Sequence, residues 1–153
     1  MSEGCIFCRV IARTLPVSVV HEDERTLTIV DLRQSNAGHV LVLPKTHAET
    51  LDVLPAGDHA PLMAAIVRAI AAVKRAFAPD GVNVWQSNRP GANQEVPHVH
   101  LHVFPRWQGD GHFAVYPGPV RDAPRVELEA IAERLRRAWD APLPLAAQTK
   151  SGH

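Results

Sequence analysis

The sequence predicts an α+β domain in which an antiparallel sheet of about five strands packs with two helices. Short apolar segments bounded by turn residues indicate the strands, and two longer segments with apolar residues at helical spacing indicate the helices. A length of 153 residues favours one domain with a substantial core. We expect that domain to span residues 1–140, with a flexible C-terminal tail over residues 141–153.

The charge balance excludes several classes of partner. Sixteen lysines and arginines offset sixteen aspartates and glutamates, so no bulk field attracts nucleic acid or an anionic membrane. No apolar run approaches the roughly 18 residues of a membrane span, and no basic-then-apolar signal precedes the domain. We therefore expect a cytoplasmic protein with no nucleic-acid or membrane partner.

Five segments have the composition of strands and are separated by polar or proline-containing turns. They are residues 17–23, 26–31, 39–43, 82–86 and 98–105. Pro44 stops the third strand, and the loop over residues 32–38 precedes it. The order of the segments along the chain is that of an antiparallel meander.

Two segments have apolar residues at helical spacing. The first runs from about Asp58 to Phe77 and is broken by Pro79 and Gly81. The second begins at Pro124 and ends before Pro142, with its acidic residues early and its basic residues late, as the helix dipole favours. Its predicted apolar face consists of Leu128, Ile131, Leu135 and Trp139.

Three histidines alternate with apolar residues in the fifth predicted strand. Because side chains at i, i+2 and i+4 share one face of a strand, we expect His98, His100 and His102 to line one surface. The intervening Val99, Leu101 and Val103 then face the core. Two chemistries fit such a row: one imidazole attacks an electrophile while its neighbours stabilise charge, or all three bind a catalytic zinc.

Three other features accompany the histidines. Cys5 and Cys8 form a CxxC pair, which indicates half of a zinc site, a redox pair or two buried thiols. Asp31, at a strand end, either accepts hydrogen bonds from a ligand hydroxyl or caps a turn. The polar loop over residues 87–96 offers backbone N–H groups and amides directly before His98, which are the donors that a phosphate needs.

Four segments together resemble the histidine-triad (HIT) superfamily of nucleotide hydrolases and transferases, over roughly residues 4–107. They are Cys5-Ile-Phe-Cys8, the strand from Gly38 to His47, the lead-in from Gln94 to His98, and the alternating histidines from His98 to Val103. The resemblance implies the HIT-like fold. His102, where related uridylyltransferases carry glutamine, points to the hydrolase branches.

The resemblance also implies a mechanism, namely hydrolysis at the α-phosphorus of a purine nucleotide derivative through a covalent nucleotidyl-histidine. His100 is implied as the nucleophile, His102 as the phosphate contact and His98 as the third catalytic residue. Asp31 is implied to hold the ribose hydroxyls. The implied nucleotide-binding residues are Asp31, Ser87, Gln94, Glu95, Val96, His100 and His102, with Ile6, Phe7, Leu32 and Trp85 near the base.

A structural zinc and a homodimer are further implications of the resemblance. Cys5, Cys8, His47 and His98 match the residues that hold zinc in related proteins, and a closed Cys2His2 set is structural. The expected substrates contain AMP: a phosphoramidate, an adenylylated amine or a dinucleoside polyphosphate. Two alternatives stay open: a hydrolase with zinc on the three histidines, and a nucleotide-binding regulatory module with little turnover.

Three residues depart from the family pattern. Ser87 and Asn93 replace the usual asparagine and glycine, and Glu95 stands where some eukaryotic members have a hydroxyl that assists the leaving group. Asparagine tolerates left-handed backbone angles, so Asn93 is compatible with the loop. A carboxylate donates a hydrogen bond only when protonated, so Glu95 weakens the expectation of the adenosine phosphoramidase activity of those members.

Overall fold

The computed structural model describes residues 4–112 and 122–139. The described residues divide into two compact units, residues 4–110, and residues 111–112 with 122–139. The predicted α+β class is confirmed, because the first unit contains a five-stranded antiparallel sheet together with helices. The predicted tail over residues 141–153 lies outside the described residues, and the single domain over residues 1–140 stays a prediction.

All five predicted strands are present, in the spatial order β1-β2-β3-β5-β4 with every neighbouring pair antiparallel. The predicted meander is wrong after the third strand, because the long connection through the first predicted helix lets the fifth strand pair between the third and the fourth. Their bounds are β1 Val19–Glu22, β2 Thr26–Val30, β3 Val40–Pro44, β4 Gly81–Gln86 and β5 Leu101–Arg106. The first four lie within two residues of the predicted bounds.

The fifth strand begins three residues later than predicted, so His98 and His100 precede it. The backbone explains this difference. The N–H of His98 donates to the Val96 carbonyl at 2.8 Å, and the N–H of Val99 donates to the Ala48 carbonyl at 2.7 Å. These N–H groups therefore bond outside the ladders of the sheet, and regular pairing begins only at Leu101.

One face of the sheet packs against helix α2, Ala56–Phe77. Its core contains Val99, Leu101 and Val103, all buried, as the alternating pattern predicts. From α2 come Leu62, Ala65, Ile66, Ala69 and Val73. The helix ends where Ala78 adopts left-handed backbone angles before Pro79.

The other face carries helix α1, Ile6–Ile11, which the sequence analysis did not predict. Val10 of α1 packs with the opposite-facing residues of β2 and β3, namely Leu27, Ile29, Leu41 and Leu43. His102 pairs with Leu41 and is part of this second face, because Leu101 and Val103 point into the α2 core. The α1 face is therefore the one that carries the histidine chemistry.

Helix α3, Arg125–Trp139, confirms the second predicted helix. Glu127 lies in its first turn and Arg136 and Arg137 in its last, and Arg137 pairs with Glu133 one turn before it. That this helix packs on the sheet stays a prediction.

Within residues 4–112 and 122–139, no helix combines the length and apolarity needed to cross a membrane.

Candidate active site and metal centre

Four predicted metal ligands converge beside the N-terminal end of β5. Cys5 and Cys8 lie at the start of α1, His47 follows β3, and His98 precedes β5. The His98 Nδ1 lies 3.5 Å from the Cys5 Sγ, 3.7 Å from the Cys8 Sγ and 3.3 Å from the His47 Nδ1. The Cys8 Sγ lies 3.4 Å from the His47 Nδ1.

These distances match the edges of a tetrahedron around zinc. Zinc bonds of roughly 2.0–2.1 Å to nitrogen and 2.3 Å to sulfur give edges of about 3.4 Å between nitrogens and about 3.6 Å between nitrogen and sulfur. The cluster has 3.3 Å for the former and 3.4–3.7 Å for the latter. The four side chains can therefore hold a metal ion.

The surroundings of the cluster also suit a metal. His98 is fully buried, and its Nε2–H donates to the Pro44 carbonyl at 2.9 Å, which leaves Nδ1 to face the cysteines. Burial raises the pKa of the Cys5 thiol, so a cation is what would favour its thiolate form. The redox alternative has less support, because both cysteines face imidazoles in a buried site.

The row of three histidines is divided between two sites, which corrects the expectation of one shared surface. His98 turns into the cysteine cluster, while the His100 and His102 rings meet edge to face, 5.1 Å between centroids. The three imidazoles form no common metal-binding group within the described residues. A catalytic zinc held by the whole triad therefore lacks geometric support.

His100 has one ring nitrogen committed and one available. Its Nδ1–H donates to the carbonyl of His98 at 2.7 Å, which leaves Nε2 with its lone pair. The side chain is buried, and burial lowers its pKa, so the ring is neutral at pH 7. The edge of the Phe7 ring packs against it at 5.0 Å. An oriented, neutral imidazole of this kind can act as a nucleophile.

His102 lies at the end of a hydrogen-bonded chain. The His39 Nδ1–H donates to the Arg33 carbonyl at 3.1 Å, so His39 with one ring proton presents its Nε2 as an acceptor. The His102 Nδ1–H donates to that Nε2 at 3.0 Å. Burial is the largest cause that lowers the pKa of His102 to about 4, and the nearby His100 and His39 contribute to the same shift. Its Nε2 therefore carries a lone pair in the neutral ring.

His39 is a site residue that the sequence analysis missed. It is buried at the start of β3, where the sequence shows only one histidine before an apolar strand. The available signal was the glycine directly before it, since glycine before a strand indicates a turn. In the structure Gly38 has a φ of 98°, and a Cβ at this position would collide with the Phe77 ring.

Asp31 lies beside His102 and His39, as we expect if the three residues belong to one site. Its Oδ1 accepts a hydrogen bond from the Arg33 N–H at 2.8 Å, and its Oδ2 lies 3.9 Å from the His102 Nδ1 and 3.6 Å from the His39 Nδ1. The carboxylate is buried. One carboxylate oxygen therefore caps the turn at Arg33, and the other faces the two histidines, so the geometry is compatible with both predicted roles of Asp31.

The other predicted nucleotide ligands come from the loop that precedes His98. The Gln94 side chain accepts from the Arg89 N–H and donates to the Glu49 carbonyl, both at 2.6 Å, so it holds the loop together. Glu95 forms a two-bond ion pair with Arg33 at 2.9 and 3.0 Å. Ser87 and Val96 are partly buried. Their contacts with a nucleotide stay predictions.

The residues predicted around the base have different surroundings. Phe7 packs against the rings of His98 and His100, and Trp85 stacks on His102. Ile6 is half-exposed, and Leu32 is 97% exposed. Asn93 has a φ of 62°, which confirms that asparagine serves here in a left-handed conformation.

Comparison with protein families matches residues 12–109 to the HIT domain. An uncharacterised HIT-like protein of Methanocaldococcus jannaschii is 35% identical over 132 residues, which cover 86% of this chain and 98% of the relative. The adenosine 5′-monophosphoramidase of Schizosaccharomyces pombe is 32% identical over 103 residues, 67% of this chain and 74% of that enzyme.

Solved structures agree with these sequence matches. A HIT family protein of Bacillus subtilis superposes with a TM-score of 0.84 at 33% identity, covering 92% of this chain and all of that one. A zinc-bound histidine triad family protein of Mycobacterium smegmatis gives a TM-score of 0.66 at 34% identity, covering 88% and 97%. The chain therefore has the same fold as these proteins.

Proposed function

This chain belongs to the HIT domain family, and on that premise we propose that it hydrolyses AMP-containing purine nucleotide derivatives at the α-phosphorus. The observation that carries the proposal is the hydrogen bond from the His100 Nδ1–H to the His98 carbonyl. It supports a fixed tautomer whose Nε2 lone pair is available for attack.

In the first step, the His100 Nε2 forms a bond to phosphorus while the bond from phosphorus to the leaving group breaks. The resulting imidazolium keeps its Nδ1–H, and the 2.7 Å bond to the His98 carbonyl stabilises that positive charge. For an amine leaving group, one proton must be supplied as the phosphorus–nitrogen bond breaks.

We assign that proton to His102. With Nδ1–H directed at His39, His102 can donate from Nε2 only when it carries a second proton. An anionic phosphoryl group beside the ring favours that form, which stabilises the charge on the oxygens and then releases the proton to the leaving amine.

In the second step, water attacks the phosphorus and the bond to His100 breaks, which releases AMP. His102, now neutral, accepts the proton of the attacking water at Nε2, so both histidines return to their starting states. The sum is one substrate and one water converted to AMP and the free amine. For a dinucleoside polyphosphate, the same steps release a nucleotide as the leaving group.

Asp31 is proposed to hold the ribose hydroxyls, and Ser87, Gln94, Glu95 and Val96 to contribute to the nucleotide site. The carboxylate of Asp31 lies beside His102, which supports a ribose next to the phosphate contact. The name of the S. pombe relative supports a phosphoramidate among the substrates. Glu95 is paired with Arg33, so it is an acceptor and does not replace a hydroxyl donor.

A structural zinc on Cys5, Cys8, His47 and His98 is part of the proposal. The tetrahedral distances within the cluster support it, as does the zinc-bound M. smegmatis relative. When bound, this zinc supplies a cross-link between the N-terminal residues and the segment before β5, and no catalytic step involves it.

Trapping of the intermediate tests the proposed function. Brief reaction with a radiolabelled adenosine phosphoramidate, followed by acid-free denaturation and peptide mapping, is expected to recover adenylyl label on His100. His100→Ala is expected to lower kcat by at least about 10⁴-fold, because the nucleophile is removed, while AMP still binds.

Three results would contradict the proposal. Near-normal activity of His100→Ala would exclude it as the nucleophile. Loss of turnover on chelation, with no adduct in the holoenzyme, would favour a hydrolase with catalytic zinc. AMP binding without turnover of phosphoramidates, adenylylated amines or dinucleoside polyphosphates would favour the regulatory module. His59→Ala, a histidine on α2 that bonds the Leu54 carbonyl, is the matched control.

A further inference from the structure

Trp85 covers one face of the His102 imidazole. The two residues lie directly opposite each other in the β4–β5 ladder, where facing side chains are about 5 Å apart. Their ring centroids are 4.2 Å apart and the ring planes differ by 3°. The register of the sheet therefore brings a flat indole against a proposed catalytic ring.

The indole also lies next to the partner of His102. The His39 and His102 rings are 5.2 Å apart, tilted by only 25° and joined by the 3.0 Å hydrogen bond, so they lie side by side in nearly one plane. The His39 ring is 5.6 Å from Trp85 at 28°, and Phe104 meets both rings edge-on. Trp85 thus supports the plane of the hydrogen-bonded pair.

The hydrogen bond and the stack constrain different motions of His102. A single bond from Nδ1 to His39 fixes one point of the ring, and the imidazole can still tilt about that point. A parallel aromatic face resists the tilt, because the rings would lose contact on one side and collide on the other. Together the two contacts define the direction of Nε2.

We infer that Trp85 is a positioning residue that sets the plane of His102, and with it the direction in which Nε2 meets the phosphoryl group. The inference rests on the proposed function for what Nε2 does, and on the ring geometry for what Trp85 does. It assigns Trp85 to the phosphoryl end of the site, whereas the sequence analysis expected it near the base.

Two substitutions of Trp85 distinguish the effect of its planar face from the effect of its volume. Trp85→Leu fills part of the space without a planar face, while Trp85→Phe keeps a smaller planar face. With adenosine 5′-monophosphoramidate we expect Trp85→Leu to lower kcat by at least about 10-fold with KM within about twofold, since complete loss of one such donor costs about 10²–10³-fold. Trp85→Phe is expected to stay within about threefold of the parent.

Trp139→Leu, which removes an exposed tryptophan of α3, is the matched control and is expected to leave both constants unchanged. Equal loss in Trp85→Leu and Trp85→Phe would overturn the inference, as would parent-like kcat in both. A rise in KM at unchanged kcat would indicate a binding role and would also overturn it. Thermal melts and AMP titration establish that each variant is folded.

A second measurement keeps Trp85 intact. The chain has three tryptophans, so Trp107→Phe with Trp139→Phe leaves Trp85 as the only indole fluorophore. An imidazolium stacked on an indole quenches its emission, so emission is expected to fall as acid protonates His102 and not to fall in His102→Asn. The charged or titratable groups that act on His102 are Asp31, Arg33, His39, Glu95 and His100.

The kinetic and the fluorescence measurements distinguish failure of the proposed function from failure of the inference about Trp85. A parent protein with no turnover would sink the proposed function, while the emission of the single-tryptophan protein would still report the contact between Trp85 and His102. Acid quenching that persists in His102→Asn would show that another group quenches the indole, and it would overturn the inference even in an active enzyme.

Discussion

At the scale of the residue, the direction of one hydrogen bond determines what His102 can do. The Arg33 carbonyl can only accept, so the His39 Nδ1 carries the proton of that hydrogen bond. The His39 Nε2 is then the acceptor, and the His102 Nδ1 carries the proton of the second bond. The neutral His102 ring then presents a lone pair at Nε2, which repels a phosphoryl oxygen. Binding of an anion and uptake of a proton are therefore coupled at this ring.

We predict that binding of AMP takes up a proton at pH values above the pKa of free His102, about 4, and below its higher pKa in the complex. The pKa of free His102 is about 4, and a bound phosphate raises it, so a proton is taken up between the free and bound pKa values. Affinity then falls as pH rises through that window, by up to about tenfold per pH unit. Calorimetric titration in buffers of different ionisation enthalpy measures the proton count.

His102→Asn is the control for proton uptake, because an amide retains a donor toward His39 but has no second titrating nitrogen. The phosphate of AMP itself titrates near pH 6. Proton uptake that is unchanged in His102→Asn would assign the proton to the ligand and contradict the coupling.

Spacing in the sequence drew attention to residues that the structure brings together, while their roles stay predictions. The alternation of His98, His100 and His102 points to the candidate site, and the CxxC pair points to the cluster that could hold a metal. His39 and Arg33 were not recognised, because a lone histidine and a backbone carbonyl leave no periodic signal. Their roles depend on the register of β3 against β5, which a single sequence does not specify.

At the scale of the element, α1 depends on the cluster at its start. Six residues are too few for a stable isolated helix, and the N-cap Cys5 makes no side-chain capping bond. The helix is attached by the packing of Val10, Phe7 and Ile11 and by the convergence of its two cysteines with His47 and His98. A metal at this cluster would therefore stabilise the helix and the start of β5 together.

We predict about one zinc per purified chain and a loss of about 10 °C in Tm on removal of zinc by a strong chelator. A ligand at 1,000 times its Kd stabilises by about 4 kcal/mol, and about 2–4 °C of Tm corresponds to 1 kcal/mol in a domain of this size. Elemental analysis and calorimetric melting measure the two quantities.

Cys8→Ser and Val10→Ala provide matched variants on the same helix. Cys8→Ser is expected to have a lower Tm that chelation lowers no further, while Val10→Ala is expected to keep its zinc and its response to the chelator. A parent protein without zinc whose Tm ignores both zinc and chelator would contradict the structural site.

The elements themselves were largely predictable. Strands β1 to β4 and helix α2 follow from apolar patterns bounded by turn residues. Helix α1 is too short to show a period, and the start of β5 depends on bonds from residues 98 and 99 to distant loops. Local pattern identifies an element, whereas long-range bonds decide its first residue.

At the scale of the whole molecule, the sheet has two different edges. Edge strand β1 has an irregular register between Val19 and His21, and Glu22 on it pairs with Lys45. Edge strand β4 has six residues in unbroken register with β5. Bulges and charges discourage pairing between sheets, so β4 is the edge suited to a second copy of the chain.

We therefore predict a homodimer in which β4 pairs with β4 of the second chain about a two-fold axis. Val84 on β4 is 40% exposed, and Val20 on β1 is 48% exposed, which makes them matched sites. Light scattering is expected to give about twice the 16.7 kDa of one chain for the parent and for Val20→Lys. Val84→Lys is expected to give a monomer, because two like charges would face each other across the axis.

The same pair of variants tests whether assembly affects the histidine site. Trp85 follows Val84 along β4, and its side chain stacks on His102, so a second chain paired with β4 would hold the strand that supports the indole. A monomeric Val84→Lys protein with lowered kcat and unchanged KM would connect the dimer to the orientation of His102. A dimeric Val84→Lys protein, or a monomeric parent, would contradict pairing through β4.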